Sequence, residues 1–80
     1  MYYAYILLSM SDESSYKGSC SVLQVRLRDH NAGKVRSTKG KRPWKLHYSE
    51  QFALKKDAIK RERFFKSRSG YRWLKERGIL

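Results

Sequence analysis

Apolar and polar positions follow two periods along this chain. At the amino end, Tyr2-Tyr3-Ala4-Tyr5-Ile6-Leu7-Leu8 is an unbroken apolar run, and Ser15-Tyr16-Lys17-Gly18-Ser19-Cys20 is a mixed one. The polar stretch Ser9-Met10-Ser11-Asp12-Glu13-Ser14 joins them. Short aromatic and branched runs bounded by turn formers predict a β-hairpin, with strands near Tyr2–Leu8 and Ser14–Cys20. The first strand is apolar on both faces, which predicts a central strand covered on both sides. Alternation sets Tyr3, Tyr5 and Leu7 on one face, and Tyr16, Gly18 and Cys20 on one face of the partner, with Lys17 opposite. If those faces coincide, a cluster of phenols looks across the sheet at whatever packs or binds there. Gly18 inside a strand predicts close approach by another backbone or a ligand.

Beyond Cys20 the period lengthens. Ser21 and Gln24 have capping-box spacing, so a helix is predicted over Val22 to about Asn31, stopped by Gly33. Leu23 and Leu27 mark its buried stripe, and Arg26 and His30 form a column at the edge of the core. Lys34 to Arg42 reads as an exposed basic loop. Pro43 opens a third strand, Trp44 to about Gln51. Trp44, Leu46 and Tyr48 form its buried face, and Lys45, His47 and Ser49 its polar face. His47 reads as an exposed strand residue without a catalytic role. A second helix is predicted over about Ala53 to Lys66, with Leu54, Ala58, Glu62 and Phe65 along one stripe. A third, roughly Gly70 to Arg77, is capped by Ser69 and packs through Trp73 and Leu74. The order is ββαβαα: an α+β fold, a three-stranded antiparallel sheet covered by helices, in a single domain over residues 1–80.

Charge changes this picture most. Nineteen Lys and Arg face seven Asp and Glu, a net charge of +12 in 80 residues. The basic residues run from Lys17 to Arg77 and are interleaved with Tyr, Trp and Phe, which points to a folded surface for a polyanion. Nucleic acid is the first such partner. The loop cations Lys34, Arg36, Lys39, Lys41 and Arg42 suit phosphate contact, with Arg28 and Lys17 as further candidates. Cys20 is the only cysteine, which rules out an intrachain disulfide or a multi-cysteine zinc site and suits a reducing compartment. No apolar run reaches the length of a membrane span, and the amino end lacks the basic region of a signal peptide. A cytoplasmic protein with no membrane partner is expected.

Within this frame the candidates for chemistry are Tyr5, Tyr16, Arg26, His30 and Glu62, each from a different element or turn. Glu62 stands in an apolar stripe, where a carboxylate is costly unless it is paired or binds a metal. Arg26 is one such partner.

These residues carry a resemblance. Tyr3-Ala4-Tyr5 followed by Tyr16-Lys17-Gly18 resembles the paired signature of the GIY-YIG endonucleases. Arg26-Leu27-Arg28-Asp29-His30-Asn31 resembles the arginine-bearing first helix of that family, especially of its small single-domain members related to the amino-terminal domain of the excision-repair nuclease UvrC. Thr38 to Leu46 resembles their basic loop and third strand, and Lys60-Arg61-Glu62 the segment with their metal-binding glutamate. Tyr3-Ala4 stands where the name-giving pattern has Gly-Ile, and Lys17 where it has Ile. An asparagine found late in some members has no counterpart after Asn31.

The resemblance implies hydrolysis of a DNA phosphodiester, in repair or processing, with one divalent metal, Mg²⁺ or Mn²⁺. By position Tyr5 closes the first signature and Tyr16 opens the second. Arg26 is then the catalytic arginine, Glu62 the metal ligand, and His30 a histidine frequent at the end of the first helix. These types suit the chemistry. A guanidinium can meet the charge gained by the phosphate, and a phenol near positive charge can take a proton from water. Tyr5 is the favoured base, with Tyr16 positioning water or phosphate. Two other readings share the charge: a non-catalytic DNA- or RNA-binding module on the same fold, and a basic structural protein docked on a ribonucleoprotein or an acidic partner. The substrate form (branched or damaged DNA included) and the oligomeric state are open at this level.

Overall fold

The computed structural model describes residues 1–80. Its centre is β1 (Tyr2–Ser9), flanked by β2 (Ser15–Cys20) and β3 (Trp44–Phe52) in a three-stranded antiparallel sheet of order β2-β1-β3. Three helices cover it: α1 (Leu23–Asn31), α2 (Lys55–Lys66) and α3 (Arg68–Glu76). The apolar run of β1 therefore has the central place expected of it, with neighbours on both edges and layers on both faces.

Register decides which side chains meet. Tyr3 pairs with Cys20, Tyr5 with Gly18 and Leu7 with Tyr16, so the two tyrosine-bearing faces do coincide. On that face Tyr5, Leu7 and Trp44 pack with Tyr16, Cys20, Leu23 and Leu27, under α1. On the other face Ala4 and Ile6 pack with Phe65 and Leu74 from α2 and α3.

β3 departs from simple alternation. Ile6 pairs with Tyr48, but Leu7 pairs with Leu46, leaving His47 as an extra residue in a β-bulge. A bulge reverses the alternation. Trp44 is thereby buried on the α1 face, whereas Tyr48 packs on the α2–α3 face, and Leu46 is left 40% exposed. The expected single buried face through Trp44, Leu46 and Tyr48 does not exist. His47 stays exposed, with its ring on the Ile79 carbonyl.

The helix starts also shift. Val22, still extended (φ −134°, ψ 107°), is the N-cap of α1, and no side chain caps that end. Ser21 lies one residue too early for the capping box. Leu54 is likewise extended and half exposed ahead of α2, so it leaves the stripe in which Ala58 and Phe65 are buried. α3 is capped by Ser67 rather than Ser69: the Gly70 N–H donates to Ser67 Oγ at 3.0 Å. Ser67 is also the C-cap of α2, so one residue joins the two helices. Gly70 makes that join possible, because a Cβ there would lie 1.6 Å from the Phe64 carbonyl oxygen. Gly33 ends α1 as expected, at φ +78°.

Candidate active site

Tyr5 sits in the middle of β1, 1% exposed. Its ring lies over Gly18 on the neighbouring strand; a Cβ at that glycine would fall 2.5 Å from the phenol oxygen. The close approach expected at Gly18 is thus made by the Tyr5 side chain, not by a backbone or a ligand. Tyr5 Oη lies 2.9 Å from His30 Nε2, and His30 Nδ1 lies 2.8 Å from Thr38 Oγ1. His30 is fully buried, where the helix pattern placed it at the edge of the core. The reason is the basic loop, which folds its Thr38 inward over the imidazole. Thr38 is itself fully buried, although its neighbours Ser37, Lys39 and Gly40 are exposed.

Tyr16 is half-buried and held by its ring, which meets His30 edge-on at 4.9 Å between centroids and Trp44 at 6.3 Å. The two tyrosine rings are 6.4 Å apart. Arg26, half-buried on α1, places its positive charge on the Tyr5 side of the helix, where it favours the ionised phenol. His30 Nε2 is the one hydrogen-bond partner of the Tyr5 hydroxyl, so a buried phenol proton has its acceptor there. Arg26 also lines an open cleft of about 330 Å³, together with Ser19, Cys20, Ser21 and Lys55.

Electrostatics separates these groups. Burial pushes the Tyr5 phenol well above its ordinary range; Arg26 pulls it back only in part, and Tyr16 pushes it further up. Burial lowers His30, Arg26 lowers it again, and Asp29 opposes them weakly. Near neutral pH the pair is therefore a protonated phenol and a neutral imidazole. His30 Nε2 is the acceptor the structure places on the Tyr5 hydroxyl.

Glu62 comes from the other side of the sheet. Ser19 pairs with Ala4, so its side chain points to the α2 face, and its Oγ donates to Glu62 Oε1 at 2.7 Å. Lys66 Nζ donates to Oε2 at 2.6 Å. The carboxylate is satisfied by Ser19 and Lys66, not by an ion pair with Arg26. Burial pushes its carboxyl up, but the hydrogen bonds from Lys66 and Ser19 outweigh this and hold it below the usual carboxylate range. Glu62 thus reaches the edge strand β2 from one face, while Tyr5, Tyr16, Arg26 and His30 gather on the other. Ser19, on the cleft wall, links the two sets.

No three His, Cys, Asp or Glu side chains stand close enough to form a metal cluster. One ionised carboxylate still suits a hard cation such as Mg²⁺, which takes one or two carboxylates and fills its remaining positions with water and substrate phosphate oxygens. Glu62 supplies one such carboxylate, but its two oxygens already accept from Ser19 and Lys66, with which a cation would compete.

The loop cations Lys34, Arg36, Lys39, Lys41 and Arg42 are exposed, as is Arg28 on α1. Lys34 stands 4.0 Å from Asp29 and Lys41 3.7 Å from Asp12. Arg42 Nε donates to the Lys39 carbonyl at 2.8 Å. Lys17 stands apart from them: it pairs with Ile6 on the α2 face, and its Nζ donates to Ser15 Oγ at 2.9 Å. Sequence reasoning missed Ser19, Thr38 and Lys55. Ser19 was within reach, since alternation puts it opposite Gly18; nothing local marks Thr38 or Lys55.

A family model described as the GIY-YIG catalytic domain matches residues 1–75. A UPF0213 protein of Bacillus licheniformis is 42% identical over 69 residues, covering 85% of this chain and 70% of the relative. One from Staphylococcus haemolyticus is 39% identical over 75 residues, covering 92% and 90%. The solution NMR structure of a UPF0213 protein from Bacillus halodurans is similar in fold, with a TM-score of 0.54 and 31% identity over 95% of this chain and 84% of that one. No helix here is long and apolar enough to cross a membrane.

Proposed function

The chain belongs to the GIY-YIG catalytic-domain family, and on that premise we propose that it hydrolyses DNA phosphodiester bonds with a divalent metal, Mg²⁺ or Mn²⁺, in DNA repair or processing in the cytoplasm. One observation carries this reading: Arg26 and Lys55 line an open cleft beside the strand that bears the buried, hydrogen-bonded Tyr5–His30 pair. A phosphate entering the cleft meets Arg26 and Lys55 and brings the attacking water to the Tyr5 oxygen. That oxygen can then accept the proton of the attacking water, while its own proton passes to His30 Nε2. The water oxygen bonds to phosphorus, the bond to the leaving oxygen breaks, and the alkoxide takes a proton from solvent. The guanidinium holds the charge that grows on the phosphate. Glu62 would hold the divalent cation, which would supply Lewis-acid stabilisation of the phosphate and the leaving oxygen. Tyr16, packed on His30, positions water or phosphate, and the loop cations hold the backbone of the nucleic acid.

The test is cleavage of labelled linear, nicked, branched and single-stranded DNA with Mg²⁺ or Mn²⁺. Arg26→Ala should lose about a hundredfold or more in rate, the scale of one transition-state donor. Glu62→Ala should abolish cleavage while binding largely survives. Metal-dependent cutting by Glu62→Ala at the wild-type rate would remove Glu62 from the mechanism. A second reading, a DNA- or RNA-binding module without cleavage, is favoured by the engagement of Glu62 with Lys66 and Ser19. Binding with no cut on any of these substrates would select it.

A further inference from the structure

Thr38 is used at both of its ends. Its carbonyl accepts Trp44 Nε1–H at 2.9 Å, which fixes the loop to the start of β3. Its hydroxyl oxygen lies 2.8 Å from His30 Nδ1 and 3.3 Å from the Val35 carbonyl oxygen. The direction of these bonds follows from what each group can donate. A carbonyl only accepts, so the Thr38 proton points to Val35. The Thr38 oxygen is then an acceptor for an Nδ1–H, and Nε2 is left as a bare lone pair facing the Tyr5 hydroxyl. The opposite arrangement puts the ring proton on Nε2 and leaves the buried Tyr5 proton without an acceptor, which buried polar groups rarely tolerate.

We propose that Thr38 is a positioning residue, holding His30 in its Nδ1–H tautomer so that Nε2 can take the proton of Tyr5. Its catalytic consequence rests on the reading of Tyr5 and His30 as the proton-accepting pair. Which ring nitrogen of a histidine can accept is set by the bond made by the other, and here that bond comes from the same loop whose Lys34, Arg36, Lys39 and Lys41 face solvent. Correct seating of the loop and correct placement of the ring proton are therefore one event. Around the imidazole stand Tyr5 from β1, Tyr16 from β2, and Arg26 and Asp29 from α1 itself; none of them reaches Nδ1 as Thr38 does.

The tautomer can be read directly by long-range proton–nitrogen correlation spectroscopy of the isotope-labelled protein near neutral pH, without any assay of cleavage. The wild type should show Nδ1 protonated and Nε2 bare. A wild type with the proton on Nε2 overturns the inference whether or not the protein cuts DNA. In Thr38→Val, which keeps the shape and removes the hydroxyl, the His30 signals should move toward a mixture of tautomers, and the cleavage rate should fall by about tenfold, the scale of one buried hydrogen bond. Thr38→Ser should restore both. An unchanged tautomer in a folded Thr38→Val protein also overturns it. Should Thr38→Val not fold, Thr38→Ala gives the same comparison with less bulk. A wild type that holds the Nδ1–H form and responds to Thr38→Val, but cuts nothing, supports the placement of the ring proton and removes the hydrolytic reading instead.

Discussion

On one side of β1, Ala4 and Ile6 meet Phe65 and Leu74; on the other, Tyr5 and Leu7 meet Trp44, Tyr16 and the inner face of α1. Alternate residues of a single strand build both sides, yet their contents differ. The α2–α3 side is an apolar core with its charges at the rim. There Arg61 forms two hydrogen bonds to Glu50, at 2.7 and 3.2 Å, while lying over Phe64, Phe65 and Trp73. The α1 side buries a polar chain, Tyr5 to His30 to Thr38, and satisfies it: no buried side-chain polar atom lacks a partner. Apolar packing is indifferent to small shifts of hydrogen-bond geometry, whereas a buried polar chain tolerates none, because an unmatched group there is not rescued by water. One side of this sheet thus mainly holds the fold together, and the other holds groups in an orientation.

That contrast can be broken by substitution. The largest loss of stability should come from Phe65→Ala, about 3–5 kcal/mol by lost transfer energy and a residual cavity, measured as the shift in urea midpoint. A change below about 1 kcal/mol would mean that the α2–α3 core is not the main source of stability. Tyr5→Phe removes a single oxygen and leaves His30 Nε2 without its donor, at a cost of about 1–3 kcal/mol. It should also lower any cleavage rate by about a hundredfold, the scale of general-base catalysis. Equal stability and equal rate would make the Tyr5–His30 bond incidental.

The smallest effect is a pH dependence that sharpens the same contrast. His30 is held below its ordinary value of 6.5. Between its folded value and 6.5 the unfolded chain therefore binds a proton that the folded chain refuses, so stability rises with pH in that window. Stability should decline as pH is lowered from 7 through the window and level off below the folded value, with the decline absent in His30→Gln. Glu62 has the same sign but acts lower, since its window lies below its ordinary 4.5. A flat stability profile between pH 7 and 5 would show that His30 is not buried in its neutral form.

Much of this was legible in the chain because it is local. The short aromatic and branched runs Tyr2–Leu8 and Ser15–Cys20, bounded by turn formers, gave the hairpin, and strand alternation the shared face of Tyr5 and Tyr16. Gly33 marked the end of α1, and the double apolar face of β1 marked it as central. The spacing of Arg26 and His30 put both on one column of a helix. Missed features depend on partners distant in sequence. Alternation in Trp44–Tyr48 gives no hint of a bulge, because the extra residue is defined only by what Ile6 and Leu7 pair with. Ser21 and Ser69 have the composition of caps, but Val22 and Ser67 are where the backbone turns into helix.

The sequence by itself determined the charge of +12, the order of elements and the set of groups available for chemistry, because composition and short periods need no distant partner. Only the tertiary structure decided how those groups are shared out. Register across β1 and β2 sends Tyr5 and Tyr16 to one face and Ser19 to the other, so Glu62 meets Ser19 on the far side of the edge strand. The fold of the basic loop over α1 buries His30 and delivers Thr38 to its Nδ1. Each is a long-range contact chosen by the packing of the whole chain, which no window of neighbouring residues contains.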